Sequence, residues 1–98
     1  MTGTMPYWQG KAGDDYTRRH PVTADRIDRL MRLWERILEP LPTLPQTIME
    51  VGANNGANLQ ALRAYVPTAR LFAGEPNSVA RKQLVGSGAV LPDNVWDE

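Results

Sequence analysis

Among 98 residues there is no cysteine and one histidine. The lack of thiols removes disulfides, thiolate zinc sites and a cysteine nucleophile together, which fits a reducing compartment and sets the expectation of a cytoplasmic protein. A lone His20, with no second His and no acid pair at ligand spacing, gives no metal site to expect. No apolar run approaches the roughly 20 residues that cross a bilayer, and MTGTMPYWQGKAGDD has neither the basic nor the apolar region of a secretory leader. No membrane association is expected. Charge of one sign is missing too, because eleven Lys and Arg balance eleven Asp and Glu. That balance argues against nucleic acid or an anionic surface as a partner held by electrostatics alone. Repeats and low-complexity tracts are absent.

What remains is an ordinary globular composition, 42% apolar and 22% charged, in a chain long enough for one modest core. Three stretches are expected. Residues 1–22 form an arm in which Gly3, Gly10, Gly13, Pro6 and Pro21 favour turns, while Tyr7, Trp8 and Tyr16 require something to pack on. Residues 23–46 hold a leading helix and its connector: Thr23 is a good N-cap, Asp25 and Asp28 suit the first turn, and Ile27, Leu30, Met31, Trp34, Ile37 and Leu38 recur at helical spacing. EPLPTLPQ then ends the helix.

Residues 47–98 read as a partial α/β domain. TIMEV (47–51) is a strand, followed by a helix with its stripe at Leu59, Leu62 and Val66 that stops at Pro67. ARLFAGE (69–75) is a second strand, and NSVARKQL (77–84) a second helix capped by Asn77 or Ser78 and closed near Gly86. AVLP (89–92) offers a third strand, and the tail DNVWDE carries no clear signal. Two βα units with short connections imply parallel strands, so the fold class expected is α/β, the N-terminal part of a Rossmann-like fold.

Function turns on the junction IMEVGANNGANL (48–59). A helix N-terminus facing a glycine turn attracts carboxylate or phosphate through unpaired N–H groups and the helix dipole. A phosphate-binding P-loop would need Lys and Ser or Thr after Gly56, where Ala57 and Asn58 stand. The dinucleotide pattern GxGxxG would need glycine at 54 and 57, occupied by Asn54 and Ala57. What is present is an acid and glycines at alternating positions, Glu50, Gly52, Asn54 and Gly56, with Asn in the middle as one of the few residues besides glycine that tolerate positive φ. An acid about 20 residues further on is expected where a ribose is held, and Glu75 meets that expectation.

The pattern resembles motif I of class I S-adenosylmethionine-dependent methyltransferases. With YWQGKAGDDYTRRH before it and LFAGEPNSVAR after it, the chain from about residue 7 to 85 resembles the N-terminal half of the methylases associated with pseudaminic acid biosynthesis. His20 stands where that family usually has Asn, and Lys11-Ala12 replaces a more acidic and aromatic pair. The resemblance implies a methyltransferase whose cofactor is S-adenosyl-L-methionine. Gly52, Ala53, Asn54, Asn55 and Gly56 would line its methionine part, with Glu50 meeting its ammonium and Arg19 its carboxylate. Glu75 would take the ribose, flanked with the adenine by Pro76 and Asn77. The resemblance implies a tie to nonulosonic or pseudaminic acid sugar biosynthesis and a small-molecule acceptor, a sugar among the candidates, whose identity the sequence does not give.

Other readings stand beside this one. Tight βα turns use glycine without binding anything, Asn77 and Ser78 serve equally as a cap, and Trp8, Tyr16 and Trp34 are expected to pack. The Arg26, Arg29, Arg32 and Arg36 series forms a solvated helical face. Two βα units are about half of a complete sheet of this class, so the chain is expected to be a truncated, cofactor-binding half with catalytic residues unidentified and activity by itself uncertain. The alternatives are a non-catalytic interaction module, self-associating through an exposed sheet edge, and another nucleotide-binding Rossmann-like protein.

Overall fold

The computed structural model describes residues 5–97; the first four residues of the arm, Gly3 included, and Glu98 lie outside the described residues. The arm is helical where turns were expected. Its residues form α1 (Met5–Gln9) and α2 (Lys11–Arg19), two short helices that pack on each other. Gly10 sits between them in extended conformation and breaks the run, while Gly13 and Thr17, one helical turn apart, are buried on the inner side of α2. Gly13 is inside because nothing larger fits: a Cβ there would lie 1.8 Å from the Trp8 carbonyl and 2.6 Å from Asn77 Nδ2.

α3 (Ala24–Leu38) follows the expected pattern. The Thr23 hydroxyl accepts from the Arg26 N–H at 3.1 Å, capping the first turn. Trp34 and Leu38 then turn the apolar stripe onto α4 (Ala57–Tyr65). Of the arginine series, Arg32 pairs with Asp28, whereas Arg26 donates instead to the His20 and Pro21 carbonyls.

β1 (Thr47–Val51) and β2 (Arg70–Gly74) pair in parallel, with Ile48 opposite Leu71 and Glu50 opposite Ala73. α5 (Ser78–Gly86) leads to the third strand. The sequence suggested Ala89–Pro92 for it, but β3 is Val95–Trp96, parallel to β2. Ala89 and Val90 are apolar because they are buried against the core as loop, and the turn at Pro92–Asn94 carries the chain to β2, where Asn94 Nδ2 donates to the Leu71 carbonyl at 3.0 Å.

Strand order is β1-β2-β3. Right-handed crossovers that step in one direction lay their helices on one face, and Leu59 and Leu62 of α4 share a core with Leu84 of α5 over Ile48, Leu71 and Ala73. The opposite face carries Met49, Val51 and Phe72, and among the described residues no helix lies over it; Met49 is 56% and Val51 78% exposed. No helix among the described residues is long and apolar enough to cross a membrane.

Candidate functional site

The turn after β1 owes its shape to three left-handed residues at alternating positions: Gly52 at φ 77°, Asn54 at φ 52° and Gly56 at φ 82°. Asn54 therefore takes the conformation that a middle glycine would take. The N–H groups of Gly52 and Ala53 both donate to the Gly74 carbonyl, at 2.8 and 3.0 Å, which holds the turn against the end of β2. Gly56 opens α4 under Leu84; a Cβ on it would sit 2.3 Å from Leu84 Cδ1. At Gly52 a Cβ would meet nothing within 4 Å. The two glycines thus divide the work, one serving packing and the other keeping open space above the turn.

That space is a cleft of about 290 Å3, lined by Gly52, Asn54, Glu75, Pro76 and Asn77 from the C-terminal ends of the strands and by Trp8, Gly13 and Tyr16 from the arm. Glu75 is its most constrained member. Only 5% exposed, it accepts from the Asn54 N–H at 2.6 Å through one carboxylate oxygen and from the Asn77 N–H at 2.7 Å through the other. Its own N–H donates to Trp96 and its carbonyl accepts from Arg81, so both the backbone and the side chain are held. A carboxylate fixed by two backbone donors still has lone pairs to offer.

The three asparagines of the turn and of the segment after β2 tie the arm down. Asn54 Oδ1 accepts from the Thr17 hydroxyl at 2.8 Å, and Asn55 Nδ2 donates to the His20 carbonyl at 2.7 Å. Asn77 does most: Oδ1 caps α5 by accepting from the Ala80 N–H, while Nδ2 donates to the Trp8 carbonyl at 2.9 Å and Asp14 Oδ1 at 2.7 Å. Cap and cleft wall are thus one residue.

Of the ten sequence candidates, Gly52, Asn54, Glu75, Pro76 and Asn77 come together on the cleft. Ala53 and Gly56 are buried beneath it, and Asn55 points its amide toward the arm. Arg19 is exposed on a neighbouring hollow with His20, Arg26 and Arg29, so α2 turns it away from the cleft. Glu50 lies on the helix side of β1, where its Oε2 accepts from Asn58 Nδ2 at 3.0 Å and Asn58 in turn accepts from Trp34 Nε1. Burial pushes the Glu50 carboxyl above the ordinary 4.5; the Asn58 hydrogen bond offsets this in part, and the negative charge of Glu75 adds to it. Its Oε1, with Asn54 Nδ2 and Asn55 Oδ1, is buried with no hydrogen-bond partner among the described residues.

Trp8, Gly13 and Tyr16 were not among the candidates. Their signal was visible as aromatic rings and a glycine inside a polar segment, with no apolar stripe to absorb them, but the sequence expectation assigned the rings to packing. Trp34 does pack; Trp8 and Tyr16 remain 41% and 36% exposed. Among the described residues no cluster of His, Asp and Glu stands close enough to hold a metal ion. No family model matches the chain, and neither a curated protein nor a solved structure matches it.

Proposed function

We propose that this chain carries the cofactor-binding part of an S-adenosylmethionine-dependent methyltransferase. The observation that supports this best is Glu75, a buried carboxylate on the cleft wall just beyond β2, aligned by N–H groups from the turn and from Asn77. A ribose presents two adjacent hydroxyls, and a carboxylate held this way can accept from both. Hydrogen bonds to a charged acceptor contribute about 1.5 to 3 kcal/mol each.

The other residues fit the same group. A cleft of about 290 Å3 is near the lower end of the roughly 300 to 1,000 Å3 usual for small-molecule sites, room for a nucleoside with the amino acid part running out over Gly52. Glu50 is not part of the cleft lining, and its part in the proposal, meeting the ammonium, rests on the resemblance. When bound, S-adenosylmethionine supplies a methyl group activated on a sulfonium. The chain's own part is to bind and orient: Glu75 fixes the sugar, and the left-handed turn brings backbone rather than side chains against the ligand. A small sugar acceptor belongs to the same proposal and rests on the resemblance alone.

Calorimetric titration with S-adenosylmethionine and, separately, NAD tests the reading. Saturable S-adenosylmethionine binding is expected, lost in Glu75→Ala. Because that variant leaves two N–H groups unpaired and is itself destabilised, Gly52→Asn is the second variant: Asn accepts the positive φ and its side chain fills the cleft. Binding of NAD alone favours another nucleotide-binding protein. A second reading, a non-catalytic interaction module, draws on the uncovered Met49 and Val51 face; it gains if neither ligand binds and the chain forms a stable oligomer.

A further inference from the structure

The rings of Trp8 and Tyr16 stand with centroids 5.8 Å apart at 85°, an inside corner on the wall of the cleft. Each neighbours another ring: Tyr7 meets Trp8 edge-on at 5.0 Å, and His20 stacks on Tyr16 at 4.0 Å and 26°. His20 is fixed in turn, since Nδ1 bonds the Tyr16 carbonyl at 2.8 Å and its own carbonyl accepts from Asn55. Tyr16 is thus backed by a second ring, and Trp8 has its carbonyl bound by Asn77. Large rings held in place and left more than a third exposed cost apolar surface in water, and aromatic pairs favour both stacked and edge-on contact. A flat ring entering such a corner lies on one wall and meets the other edge-on.

We infer that the Trp8 and Tyr16 corner is a platform for a planar nucleobase, so that the arm supplies the base subsite and the sheet supplies the sugar subsite. The ligand class is a nucleoside, read from both ends of one cleft: the aromatic corner takes the base and Glu75 takes the diol. This rests on the reading of Glu75 above and adds to it which residues recognise the base. Gly13 and Asn77 are positioning residues, because the near contact at Gly13 and the Asn77 amide set the distance between the corner and the sheet.

The test compares binding of S-adenosylmethionine, adenosine and methionine to the wild-type chain and to Trp8→Leu, Tyr16→Leu and Tyr16→Phe, with circular dichroism to show that each is folded. A base on an aromatic wall gains about 1 to 3 kcal/mol, about five- to 150-fold in affinity. Loss of that size is expected for adenosine and S-adenosylmethionine in both leucine variants, with Tyr16→Phe close to wild type and any methionine binding unchanged. If S-adenosylmethionine binds equally to wild type and to both folded leucine variants, the corner is not a base platform while the methyltransferase reading stands. If adenosine binds and weakens in the variants but S-adenosylmethionine does not bind, the corner stands and the methyltransferase reading falls. Failure of the wild type to bind either nucleoside overturns both.

Discussion

Gly52 and Gly56 have the same left-handed backbone, yet substitution should separate them. Gly52→Ala meets open space and carries only the backbone penalty, about 1 kcal/mol. Gly56→Ala adds the collision with Leu84 and should cost about 2 to 4 kcal/mol. Urea unfolding of the two variants checks this, and equal losses would refute the division of labour. Glu50 offers a second test. Because its folded pKa is raised, its contribution to stability is full below the unfolded value near 4.5 and is lost as pH rises through the folded value. Glu50→Gln should flatten that part of the pH profile and be more stable than wild type at neutral pH. Identical pH profiles for the two proteins would sink the assignment. Asn54 was legible from the sequence, since few residues but glycine tolerate that φ. The clamp on Glu75 was not, because both its donors are backbone N–H groups whose direction only the folded turn determines.

At the scale of elements, α3 could be read from Thr23 and its apolar period, and β1, β2, α4 and α5 from period and punctuation. The arm could not, because Gly10 and Gly13 carry a turn signal whatever their context. In the fold Gly10 does interrupt, whereas Gly13 is a small residue where α2 crosses Asn77. Gly13→Ala should therefore push α2 from the sheet, despite alanine's better helix propensity. A loss of about 1 to 3 kcal/mol is expected, together with weaker nucleoside binding and faster proteolysis of the arm. A variant more stable than wild type would mean that propensity outweighs the contact. The third strand misled for a related reason: burial made Ala89 and Val90 apolar without making them strand.

For the whole molecule, the strand order decides what is left uncovered. Both crossover helices fall on one face, so Met49 and Val51 remain in water beside Phe72, over whose ring Arg70 lies at 5.5 Å. We expect the chain to self-associate through this face as its concentration rises, and Val51→Lys to shift it toward monomer in sedimentation without loss of stability. An unchanged association constant would direct attention to the strand edges instead. The same order puts β2 in the middle, bonded on both sides, with β1 at one border and the two residues of β3 at the other. In deuterated water β2 amides such as Ala73 and Gly74 should exchange last, after those at the outer border of β1. The peptide that presents Glu75 would then belong to the most slowly opening unit of the chain, and the Glu75 wall of the cleft would outlast the arm that lines its other side.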